Sequence, residues 1–263
     1  KRLKPRTKKK PDPGLHLICI VMADAVVILL SFLVAGWVQG MLGFGFAVTS
    51  TLMLLGGMNF TTLVFLNLCM SFLCCVLAML SAGNLRSIHK PILLRIVISA
   101  LVGLVIGSAV IKYVDSVFLK QVTLVVILVA SLLSLGKCRR FFAQKDLSIA
   151  GGFLSGILTP STGINGPLVM LHLNAALKEK RRIRSTMLSY LLVIMAFGVL
   201  SMTFQVGLPR GSWGMLAKIV LPSVAGYALG VLTFRQLSDS RYNRLVTFFL
   251  ISSSLLSLIY LIL

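Results

Sequence analysis

The sequence predicts an all-α polytopic membrane protein built from two inverted repeats, each with one broken or re-entrant helix followed by three spans. Three observations carry that expectation. Of the 263 residues, 57% are hydrophobic and only 12% charged, with a mean hydropathy of +0.98, whereas soluble domains carry about 25% charged residues. Several apolar runs reach the ~20 residues that cross a bilayer, and they lack the strict alternation of a barrel strand. Two of these runs are interrupted, at Gly36 to Gly45 (GWVQGMLGFG) and at Gly151 to Pro167 (GGFLSGILTPSTGINGP). Gly and Pro cost a helix interior about 1 and 3 kcal/mol. Unpaired backbone in hydrocarbon costs several more, so such breaks persist only where protein or a wet cavity surrounds them.

In chain order, residues 1–14 (KRLKPRTKKKPDPG) are a polar basic tail, expected on the cytoplasmic side against anionic lipid. The first repeat with its leading helix occupies 15–135. It holds a span at 15–35, the broken stretch 36–58, and spans at 60–82, 91–111 and 117–135. A basic loop follows at 136–146. The second repeat, 147–263, holds the broken stretch 147–177 and spans at 183–206, 215–234 and 245–263. Whether 36–58 is a re-entrant hairpin or a bent helix end stays open at this point. In the second break the helix is expected to stop at Pro160, with Gly163 and Gly166 permitting a turn and Pro167 opening the next helix.

The two halves are related. GLVIG (Gly103, Gly107) aligns with GYALG (Gly226, Gly230), and SLLSL at 131–135 with SLLSL at 254–258. Upstream, Gly36 and Gly40 pair with Gly152 and Gly156. A cytoplasmic tail and a hairpin at 147–177 put the loops 83–90, 136–146, 178–184 and 235–244 inside. The outer loops then carry only Lys112, Asp115 and Arg210, as the positive-inside rule requires. Lys and Arg outnumber Asp and Glu by 26 to 6. Their place between apolar runs explains that excess without nucleic acid, for which no aromatic-basic motif exists. Cys19, Cys69, Cys74, Cys75 and Cys138 read as small packing residues, and His16, His89 and His172 have no metal-ligand spacing. No cofactor motif is present.

Broken segments at corresponding places of two halves mark the binding site of an alternating-access carrier. Amides at the helix start near Pro167 carry positive dipole, and Thr159, Ser161, Thr162 and Asn165, with Gly163 and Gly166 shaping the turn, add neutral donors suited to a small anion. Gln39, Gly40, Gly43 and Gly45 are their first-half counterparts. Asn67 and Tyr190, mid-span in the helices after each break, are placed to close the site or to bond between helices. Gly36, Gly152, Gly156 and Pro167 serve as hinge or packing positions. Asp24, a carboxylate inside the first span, is the candidate for carrying a coupling proton. Arg95 and Lys218 read as snorkelling cations.

On these residues the chain resembles the sulfite exporter TauE/SafE family over about 15–263. The resemblance rests on Gly36, Gly40, Gly43 and Gly45, then Gly152, Gly156, Gly163, Gly166 and Pro167, together with IRSTMLSYLLV after the KEKRR loop. Phe44, Phe46 and Ala47 depart from the family's tighter glycine cluster. The resemblance implies a secondary transporter, an exporter in the family manner, of small organic or organosulfur anions across the bacterial inner membrane, in some members coupled to protons. A homodimer is compatible with the sequence. The rival readings are a non-transporting scaffold or receptor and an intramembrane enzyme, the latter lacking convergent acid, base or metal ligands.

Overall fold

The structure, a computed structural model, describes residues 13–80, 87–110, 113–134, 145–205, 207–209 and 211–262. Ten α-helices lie among them: α1 (Pro13–Leu42), α2 (Phe46–Leu54), α3 (Phe60–Met79), α4 (Lys90–Val110), α5 (Ser116–Ser134), α6 (Lys145–Thr162), α7 (Gly166–Ala176), α8 (Lys180–Gln205), α9 (Ser212–Gln236) and α10 (Asp239–Ile262). Six of these, α1, α3, α4, α8, α9 and α10, are long and apolar enough to cross a bilayer. The basic tail and the loop 136–146 lie, save for a residue or two at their ends, outside the described residues.

α3 and α8 form the centre, where Leu63, Leu66, Met187 and Tyr190 are fully buried. Around them α1 pairs with α9, α4 with α6, and α5 with α10. Large apolar side chains such as Val105, Phe204 and Leu221 point outward, as expected of a surface that lipid solvates. These pairings link distant parts of the chain and are consistent with an inverted-repeat arrangement, since each half lends its first helix to the fourth of the other.

Glycine sets both of the close seams. On α1 against α9, a Cβ at Gly36 would overlap the Ser223 carbonyl oxygen, and one at Gly40 the Tyr227 carbonyl oxygen. On α6 against α4, a Cβ at Gly156 would overlap the Ala100 carbonyl oxygen, and one at Gly103 the Phe153 carbonyl oxygen. Backbone therefore lies on backbone, the small-residue packing that holds helices together where burial from water supplies no force. The contacts revise the expected register by one helical turn. Gly36 on Ser223 corresponds to Gly156 on Ala100, so Gly40 corresponds to Pro160 and not to Gly156.

The breaks are shorter than expected. α1 continues through Gly36 and Gly40 to Leu42, because those glycines face a neighbouring helix that supplies packing in place of a side chain. Only 43–45 is unwound in the first half, with Gly43 at φ +84° and Gly45 at φ +98°. Likewise α6 runs past Pro160 and ends at Thr162. What stops it is Gly163, at φ +68°, a conformation that costs other residues about 1–2 kcal/mol. After each break the short helix that follows lies against the one before it. Phe46 of α2 lies with its ring 5.9 Å from that of Phe32, and Ser155 of α6 donates to the Asn165 carbonyl at 2.5 Å.

Candidate functional site

The two breaks meet. Residues 44–48 from the first and 163–167 from the second border one cavity, completed by Ser71 of α3 and by Leu191 and Met195 of α8. It is small, with room for roughly one water. Two helix starts border it, α2 at Gly45–Phe46 and α7 at Asn165–Gly166. The first N–H groups of a helix have no partner within it, and each helix start carries roughly half a positive charge. Pro167 has no N–H to offer, so the α7 donors are those of its neighbours.

Of the residues singled out from the sequence, Gly45, Gly163, Asn165, Gly166 and Pro167 line the cavity. The others stand behind it. The Asn165 side-chain amide donates to Thr159 Oγ1 at 3.3 Å, and Thr159 donates in turn to the Ser155 carbonyl at 2.8 Å. Thr162 Oγ1 donates to the Leu158 carbonyl at 2.8 Å and accepts from the Ile164 amide at 3.1 Å. Ser161 bonds back to the Leu158 carbonyl. These hydroxyls tie off the frayed end of α6 and shape the turn that follows it.

The helices after the breaks brace them. Tyr190 Oη lies 2.6 Å from Ser155 Oγ. Ser155 spends its proton on the Asn165 carbonyl, so Tyr190 is the donor and fixes Asn165, the residue before α7, through Ser155. Asn67 accepts from Ser50 at 2.6 Å and donates to Thr51 at 3.2 Å, locking α3 to α2. Gln39 donates to the Ser71 carbonyl at 3.2 Å, while Ser71 Oγ donates to Gln39 Oε1 at 2.9 Å. That second bond orients the one α3 hydroxyl that borders the cavity.

Gly36, Gly40, Gly152 and Gly156 belong to the seams and stand away from the cavity wall. Gly43 adjoins Arg184, whose Cγ would lie 2.8 Å from a Cβ there. Asp24 sits on α1, its side chain outside the described residues. Arg95 and Lys218 are exposed on the outer faces of α4 and α9, where snorkelling suits them. Among the described residues no group of three metal-ligating side chains gathers.

Arg184 is the residue that sequence reasoning missed. In KEKRRIR it reads as the end of a solvated basic loop, yet α8 already starts at Lys180 and Arg184 is only 2% exposed. A signal was available. Projecting the apolar stripe Met187, Leu188, Leu191 and Met195 back by one helical turn puts position 184 on the buried face. Its Nε and Nη2 donate to the Gly40 carbonyl at 3.1 and 2.8 Å, and Nη2 reaches Tyr227 Oη at 3.4 Å. The guanidinium carbon lies 4.6 Å from the centre of the Phe234 ring, a cation–π contact worth about 0.5–2 kcal/mol.

Paired long apolar helices and two interrupted helices whose breaks meet at a small cavity define a multi-pass membrane protein. The sulfite exporter TauE/SafE family model matches residues 28–257, most of the chain. The chain belongs to that family, which makes it a secondary transporter and not an enzyme. Neither a curated protein nor a solved structure matches it.

Proposed function

We propose that the protein exports a small organosulfur or related organic anion, sulfite- or sulfonate-like, from the bacterial cytoplasm by alternating access. α1–α2 and α6–α7 act as re-entrant hairpins in two inverted repeats of one hairpin and three spans. The observation that carries this reading is the convergence of the α2 and α7 N-termini on one cavity. Two positive helix ends, with the Asn165 side-chain amide beside them, suit an anion. Gly45, Gly163, Asn165 and Gly166 form the contact surface. Thr159, Ser161, Thr162, Gln39, Gly43, Asn67 and Tyr190 position it, and Gly36, Gly40, Gly152 and Gly156 are the seams on which the halves move. At its present size the cavity has room for roughly one water, so loading requires the two breaks to part. Asp24 carries the coupling proton.

The test is uptake of labelled sulfite, and of small sulfonates, by liposomes holding the purified protein under a pH gradient. Wild type accumulates one or more of them. Asn165→Ala loses a donor to a charged solute, worth about 1.5–3 kcal/mol, so its uptake efficiency falls about 10- to 100-fold. Wild-type liposomes inert to every anion offered would favour a scaffold instead. In Asp24→Asn, uptake persists as exchange but no longer responds to the pH gradient; an unchanged response removes Asp24 from the mechanism.

A further inference from the structure

Arg184 has an environment that charge pairing does not explain. Among the described residues its contacts are a carbonyl, a phenol and an aromatic ring that it shares with Lys180, and no carboxylate. The ion pair found among the described residues, Arg182 with Glu179, is exposed and does not involve it. Burying a guanidinium without a carboxylate costs several kcal/mol that an apolar side chain of similar size would avoid.

Arg184 caps the last turn of α1 through the Gly40 carbonyl, yet the corresponding position at the other break shows that no such cation is required. Arg184 packs against Gly43 of the first break as Val64 packs against Gly163 of the second, the same place in α8 as in α3. Valine suffices at one break, so the charge at the other answers to something besides packing. Gly43 adjoins Phe44 and Gly45, both on the cavity wall, so the guanidinium stem stands directly behind the site. The arginine fork matches an oxyanion better than it matches a single carbonyl oxygen.

We propose that Arg184 is the counter-charge of the transported anion: it selects negative solutes and, as the breaks part, exchanges the Gly40 carbonyl for an oxyanion on the solute. This rests on the transport reading above and adds a charged ligand to a site otherwise made of neutral donors. Arg184 is then a binding residue, while Tyr227 and Phe234 position it.

Labelled sulfite uptake by liposomes is compared for wild type, Arg184→Lys and Arg184→Gln, with the melting temperature of each in detergent. The expected result is a KM raised at least tenfold in Arg184→Gln and several-fold less in Arg184→Lys, with kcat less affected than KM in both. Equal KM values for the two variants, whether high or wild-type, overturn the proposal, because charge would then not matter. Inert wild-type liposomes would instead defeat the transport reading itself.

Should the variants not fold, the wild-type protein provides the decision. Its reaction with phenylglyoxal is followed by peptide mass spectrometry with and without methanesulfonate, an anion that does not add to the reagent. Methanesulfonate is expected to slow modification of Arg184 and to leave exposed Arg181 and Arg182 unaffected. An unchanged rate at Arg184, or no modification in either condition, means that the guanidinium does not meet the solute and overturns the proposal.

Discussion

At the scale of single residues, the site is held by a chain of neutral hydrogen bonds running from Tyr190 through Ser155 to the Asn165 carbonyl, with Asn165 bonded to Thr159. Tyr190→Phe removes the donor at one end and leaves Ser155 bonded to Asn165. We expect a loss of about 1 kcal/mol in stability and a several-fold drop in uptake with the fold retained; wild-type uptake would show that the brace does not govern the site. Gly163 is a separable case. A Cβ there would meet nothing closer than 3.6 Å, so only its φ of +68° opposes a side chain. Gly163→Ala should therefore cost about 1–2 kcal/mol, seen as a lower melting temperature. Gly56→Ala, where a Cβ has open space around it, should leave melting unchanged.

At the scale of elements, two glycine seams and two short breaks do different work, although the sequence writes both in the same residues. Gly40 is in α1's final turn and against Tyr227, so Gly40→Ala must push α1 from α9 backbone to backbone. Overpacking of this kind costs about 1–3 kcal/mol or more, and because the Arg184 bond to the Gly40 carbonyl moves with it, folding yield and uptake should fall together. Pro160 differs in the opposite direction. It lies inside α6, and the helix ends at Gly163 regardless. Pro160→Ala restores a donor without touching the break and should preserve uptake; loss of uptake with an intact fold would make the proline part of the moving hinge.

At the scale of the whole molecule, sidedness follows from how the helix ends gather. The Lys180 amide donates to Asp239 Oδ1 at 3.2 Å, and its ammonium group reaches the Phe234 and Leu237 carbonyls, so the turns before α8 and before α10 share one face. α8 has 26 residues, about 39 Å of helix, which carries the chain to the opposite face by Gly207. Cysteines introduced at Glu179 and Ser238 should be labelled from the same side by a membrane-impermeant maleimide, and one at Gly207 from the other. The basic residues around 178–184 and 235–244 make the first side cytoplasmic. Labelling of all three from one side would refute this topology.

The sequence alone determined the class and the family, because apolar run length, charge placement and duplicated glycines are local properties that a bilayer reads directly. It also placed both breaks within longer stretches, 36–58 and 147–177, where the structure puts the interruptions at 43–45 and 163–165. It did not separate seam glycines from break glycines, since the same residue serves close packing at Gly40 and a left-handed turn at Gly43. That distinction depends on whether α9 lies alongside. Nor did it reveal Arg184, since whether a cation at the end of a basic run is solvated or buried depends on where α1, α9 and α10 close over it. Only the tertiary structure decides which polar groups share a cavity, because the two halves meet through contacts more than a hundred residues apart.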